Sequence, residues 1–146
     1  MSNNQLYELL YTSRATNGFK EEELQDILEQ SRKNNLRDEI SGMLIYYKKS
    51  FVQILEGDQA KVLQLYQKIS QDPRHQVLEV FNQGKISVRS FENWSMAGKA
   101  LNNRDLQALL PDFAPLNQEH LSSHILNSSP SMGKNLFLKL KEELTS

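Results

Sequence analysis

The sequence contains no cysteine. That excludes disulfides, thiolate catalysis, cysteine-ligated zinc and iron–sulfur clusters. It also lacks any excess of charge: 17 Lys and Arg stand against 18 Asp and Glu, a net charge of −1. This balance argues against a nucleic-acid binder working by bulk basic charge and leaves room for a local basic patch. No apolar run approaches the ~18 residues of a membrane span, and the mean hydropathy is −0.59. The polar, uncharged stretch from Met1 to Gln5 does not read as a secretion signal. A cytoplasmic protein without direct nucleic-acid or membrane partners is expected. At 146 residues, the length suits one domain with a sizeable core. Neither internal repeats nor low-complexity blocks interrupt it.

Leu6 to Thr12 alternates as a strand, with Tyr7, Leu9 and Tyr11 on one side and Leu6 and Leu10 on the other. Asn17-Gly18 marks a turn. Glu21, Glu22 and Glu23 suit the first turn of a helix, where acids favour the dipole. Leu24, Ile27 and Leu28 begin its apolar stripe. Ile40 to Tyr47 and Phe51 to Glu56 read as a hairpin joined through Lys48, Lys49 and Ser50. Gly57-Asp58 opens a second helix with Asp58 as N-cap. Val62, Leu65, Tyr66 and Ile69 form its apolar face, and Pro73 ends it. Val77 to Phe81 and the region Trp94 to Met96 are expected as the last two strands. The order β-α-β-β-α-β-β is α+β, and its first six elements are ferredoxin-like: one mostly antiparallel sheet with both helices on one face.

The third strand is apolar on both faces, with Phe51 and Leu55 on one and Val52 and Ile54 on the other. It needs cover on both. The tail after Asn102, punctuated by Pro111, Pro115 and Pro130, can supply the second cover. Leu136, Phe137, Leu140 and Leu144 make an amphipathic stripe there. Residues 1–100 are thus expected as one domain. Residues 101–146 are expected as a helical extension that packs on the sheet or forms an output or oligomer surface. The tail is too short for a typical second domain of about 50 residues or more. His120 and His124 lie four apart but have no evident third ligand, so no metal site is expected.

The first helix's stripe continues to two polar residues, Ser31 and Asn35. Gln53 shares a face with Phe51 and Leu55, and Tyr11 ends the face of Tyr7 and Leu9. If these faces converge, a buried polar set forms between two helices. Leaving one such group unsatisfied costs about 1–3 kcal/mol. The set either satisfies itself or receives a heterocycle, because amides offer donors and acceptors to a ring bearing C=O and N–H edges. Ile27 and Ile69, one from each helix, could sandwich such a ring.

At these residues the sequence resembles the BLUF family of blue-light sensors. The resemblance runs from about Leu6 to Met96. It is carried in order by LYELLYTS at Leu6–Ser13, SRKNN at Ser31–Asn35, ISGML at Ile40–Leu44, FVQILEG at Phe51–Gly57, QDPRH at Gln71–His75 and FENWSM at Phe91–Met96. It implies a non-covalent FAD, its ring system held between the helices. The residues alone do not separate FAD from FMN or riboflavin. Tyr11 matches the photoactive tyrosine and Gln53 the glutamine between it and the flavin. Asn35 matches the asparagine at the flavin's polar edge, with Ser31 and Asn34 nearby. Ile27 and Ile69 match the flanking residues. Lys68 falls where a basic residue approaches the phosphates, though a lysine cannot offer the bidentate fork of arginine. Asp72, Arg74 and His75 match a motif on the ribityl–phosphate side. Trp94 and Met96 match the switchable pair, expected to share one face of the last strand; which one faces the flavin stays open.

The implied mechanism needs no substrate turnover and no cysteine adduct. In blue light Tyr11 gives the flavin an electron and a proton. After recombination a rearranged hydrogen-bond network persists, with the Gln53 amide rotated or tautomerised. An amide has distinct O and N ends and can store that change. The altered Gln53 would act on Met96 or Trp94 and so on the tail. The signal is expected to leave through a homo-oligomer or a separate downstream protein, not through an enzyme in this chain. The alternative is a ferredoxin-like binding module or small enzyme without a light response, since that fold hosts many functions.

Overall fold

The computed structural model describes residues 5–16, 19–20, 22–47, 49–73, 75–102, 104–105 and 132–145. The turn expected at Asn17-Gly18, the histidines 120 and 124, and the three tail prolines lie outside them. The described elements are β1 (Leu6–Ala15), α1 (Glu23–Asp38), β2 (Ser41–Tyr47), β3 (Ser50–Asp58), α2 (Gln59–Ser70), β4 (His75–Lys85), β5 (Ala97–Ala100) and α3 (Met132–Thr145). They include one five-stranded sheet in the order β4-β1-β3-β2-β5. The first four strands pair antiparallel, whereas β5 runs parallel to β2.

Local chemistry sets the element ends. Asp58 caps α2, its carboxylate accepting from the Lys61 N–H at 3.4 Å. Glu39 closes α1 with φ 57°, and the Ile40 N–H returns to the Asn35 carbonyl at 2.8 Å. Pro73, which has no N–H, follows the end of α2. Lys49, at φ 66°, turns the β2–β3 hairpin. That hairpin is one residue tighter than expected, because Ser50 already belongs to β3.

The sheet separates two apolar layers. On one side Leu9, Tyr11, Leu44, Phe51 and Leu55 pack with Leu24 and Leu28 of α1 and Val62 of α2. On the other, Leu10, Met43, Ile45, Val52 and Ile54 pack with Leu136, Phe137 and Leu140 of α3. Each such buried side chain contributes roughly 1.5–3 kcal/mol. Leu144, expected on the same stripe, is 44% exposed. Lys134 ties the start of α3 to Glu8 on β1 at 2.7 Å.

Two expectations about the last strands need correction. The fourth strand extends well beyond Val77–Phe81, because β1 supplies it with a partner from Tyr7 to Ala15. The fifth begins at Ala97, so Trp94 and Met96 precede it. Their backbone is spent on turns and side-chain anchors. Trp94 N–H donates to Phe91 O at 2.9 Å, and Gly42 N–H donates to Trp94 O at 2.9 Å. Asn93 sits at φ 73° in that turn. The two side chains consequently part: Trp94 packs against the α3 layer and Met96 against the α1–α2 layer.

Candidate functional site

Tyr11 and Gln53 are cross-strand partners in the β1–β3 register. Directly opposed residues project to the same face, so both enter the layer beneath α1 and α2. Both strands lie inside the sheet. Tyr11 is 1% exposed and Gln53 5%. The Tyr11 hydroxyl donates to Gln53 Oε1, and Gln53 Nε2 donates to Met96 Sδ at 3.4 Å. The glutamine therefore spends each end on a different residue. Burial pushes the Tyr11 phenol far above its ordinary range, with smaller contributions from Tyr66 and Asp72. It stays protonated at neutral pH and keeps its proton to give. Tyr66 of α2 stands edge-on to it, ring centroids 5.5 Å apart.

Tyr11 and Gln53 floor a cavity of about 230 Å³ between the helices. From α1 it receives Ile27, Ser31, Asn34 and Asn35, and from α2 Lys68 and Ile69. Asp72 and His75 line it beyond the end of α2. All of these were expected from the sequence. Arg74 lies outside the described residues. Trp94 does not line the cavity. Gln30, Leu44, Phe51 and Leu65 also line it and were missed. Leu44 had a usable signal, since it is the β2 partner of Gln53. Gln30 had one too, lying one helical turn before Asn34.

The periphery is tied by hydrogen bonds. Asn35 Nδ2 donates to the Ser95 carbonyl at 2.8 Å. Arg32 Nε donates to the Met96 carbonyl at 2.8 Å, an anchor the sequence did not reveal. The His75 ring donates from Nε2 to the Ile69 carbonyl at 2.6 Å and shares Nδ1 with the Ser13 hydroxyl at 2.8 Å. It thereby joins β1 and β4 to the end of α2.

The donor set fits a flavin ring. Ile27 and Ile69 offer apolar flanks from facing helices, while Gln53 and Asn35 offer amide edges. Sites enclosing whole drug-sized ligands measure about 300–1,000 Å³. The cavity falls below that range, and Lys68 is among its lining residues.

A ferredoxin-like sheet thus carries a buried Tyr–Gln pair beneath a cavity between two helices. The sequence model of the family "Sensors of blue-light using FAD" (BLUF) matches residues 6–97, and the chain belongs to this family. It is 31% identical over 112 residues to the photoactivated adenylate cyclase subunit beta of Euglena longa, covering 76% of this chain and 12% of that one. The chain thus spans about an eighth of that relative's length. Among solved structures, the dark-state BLUF protein BlrB superposes with a TM-score of 0.76 at 31% identity, covering 96% of this chain and 98% of that one. The photo-activated state of BlsA gives 0.72 at 28% identity, covering 97% and 96%. The protein is a blue-light photoreceptor with a flavin chromophore. The light-inert binding module is not favoured. Among the described residues, no helix is long and apolar enough to cross a membrane.

Proposed function

We propose that this photoreceptor binds FAD non-covalently and stores the light signal in the Tyr11–Gln53–Met96 hydrogen-bond chain. The observation that carries the reading is the pairing of Tyr11 O–H with Gln53 Oε1 on the floor of the cavity. When bound, the flavin supplies blue absorption and an acceptor for one electron. Tyr11 supplies that electron and its hydroxyl proton, which Gln53 Oε1 is placed to receive. Ile27 and Ile69 hold the ring, and Asn35 orients its polar edge, with Ser31 and Asn34 beside it. Lys68, Asp72, Arg74 and His75 serve the ribityl–phosphate side, and FAD rather than another flavin is favoured by the family's own description.

After the electron and the proton return to Tyr11, Gln53 need not regain its first arrangement. Rotating or tautomerising the amide changes what it presents to both Tyr11 and Met96. Met96 then carries the change to the segment before β5, and Trp94 carries it toward α3. The chain catalyses no reaction of its own in this reading. It works in the cytoplasm, as its polar composition favours, and signals by contact with a second copy or a separate downstream protein.

The test is an absorption spectrum of the purified protein, dark and after blue illumination, with the flavin identified after release. Flavin bands that shift slightly to the red and relax in darkness are expected. A colourless protein that takes up no added FAD overturns the reading. Bound flavin without a shift keeps the cofactor and discards the switch.

A further inference from the structure

The segment that delivers Met96 to Gln53 is held from an unexpected side. Glu56 lies on β3 three residues after Gln53, so its side chain leaves the opposite face of the sheet. It is fully buried. Its Oε1 accepts from the Ser41 hydroxyl at 3.0 Å and from the Phe91 N–H at 2.7 Å. Its Oε2 accepts from the Ser90 N–H at 2.8 Å. Arg89 Nη1 donates to the Ser41 hydroxyl at 2.9 Å and to the Glu56 carbonyl at 3.2 Å, which brings a positive charge close. A buried carboxylate is costly unless its oxygens are satisfied, and here both are.

From that anchor the chain runs through fixed points to the switch. Trp94 turns back on the Phe91 carbonyl and is held by Gly42. Asn35 then holds the Ser95 carbonyl, and Arg32 the Met96 carbonyl. The Met96 thioether finally receives Gln53 Nε2.

We propose that Glu56 is a positioning residue for the photoreaction. From the far face of the sheet its carboxylate fixes Ser90 and Phe91, and through them sets Met96 against Gln53 and the lifetime of the light-formed state. The proposal rests on the reading of Tyr11, Gln53 and Met96 as the switch. A carboxylate is acceptor only. A glutamine of the same shape turns an NH2 group toward one of the three donors, and that donor loses its acceptor. The segment loosens, and the rearrangement back to the dark state meets a lower barrier.

The experiment uses the full chain with bound flavin and follows dark recovery by flavin absorbance, with thermal unfolding in parallel. Glu56→Gln is expected to keep flavin and the light-induced shift and to recover about two- to tenfold faster than wild type. Ser41→Ala removes one donor while leaving the two backbone bonds, and is expected to recover about twofold faster. If Glu56→Gln does not fold, Ser41→Ala decides. Variants that melt earlier but recover at the wild-type rate make Glu56 merely structural and overturn the proposal. A wild type that holds flavin without any shift overturns the switch reading itself, and the proposal with it.

Discussion

Met96 Sδ accepts from Gln53 Nε2 at 3.4 Å, across 43 residues of sequence, while Trp94 two residues earlier packs on the opposite layer. The two residues therefore answer to different perturbations. Met96→Ala should change the light-induced shift or its recovery, because Gln53 loses a partner. It should also cost about 2–5 kcal/mol of stability through the cavity left behind. Trp94→Ala should leave the dark flavin spectrum close to wild type and weaken the packing against α3. Difference spectra and thermal melts of the two variants check this. A larger spectral effect from Trp94→Ala would contradict it.

Tyr11→Phe keeps the ring and its edge contact with Tyr66 but removes the donor to Gln53 Oε1. Flavin should still bind, and the light-induced shift should vanish. Stability should fall by about 1–3 kcal/mol, the cost of an unsatisfied buried amide oxygen. Gln53→Leu should abolish the shift as well, since an isobutyl group has no distinct ends to exchange. Steady-state spectra under blue light, with flavin content measured by release, give the outcome.

The Tyr11 phenol also makes a pH prediction. Burial, then Tyr66 and Asp72, raise it well above the ordinary 10.0. The folded protein keeps the proton where the unfolded chain loses it. Stability from this group is thus complete below about pH 10 and is lost as pH rises further, by about 1.4 kcal/mol per pH unit. Alkaline titration should show no tyrosinate absorbance from Tyr11 before unfolding, and Tyr11→Phe should remove that part of the alkaline sensitivity. Ionisation of Tyr11 near pH 10 in the folded protein would contradict this.

At α3, the buried ring and the ion pair should separate cleanly. Phe137 is fully buried and packs edge-on to Phe91, centroids 6.4 Å apart. Phe137→Ala should cost about 3–5 kcal/mol. The Lys134–Glu8 pair is partly exposed, and Lys134→Ala should cost about 0.2–1 kcal/mol. Both variants should still bind flavin, because neither residue lines the cavity. Chemical denaturation with flavin retention as a second readout tests both.

Much of the cavity is legible in the sequence. Strand alternation assigned Tyr11 and Gln53 to faces shared with apolar neighbours, and the 3.6-residue period carried the α1 stripe from Leu28 to Ser31 and Asn35. These are local regularities, set by backbone geometry within one element. Trp94 and Met96 defied the same rule because no strand holds them. The carbonyls of Trp94, Ser95 and Met96 are taken by Gly42, Asn35 and Arg32, donors more than fifty residues away, and alternation fails where ladder bonds are absent.

Side-chain period and burial preference act over a few residues, and they were enough to give the order of elements, the two-faced β3 and the polar residues that end an apolar stripe. That Met96 meets Gln53, that Trp94 joins α3 and that Glu56 anchors Ser90 and Phe91 through the far face are contacts of the closed fold. Those depend on which buried donor finds which acceptor across strands distant in sequence, and a buried polar group selects its partner only after the sheet has closed around it.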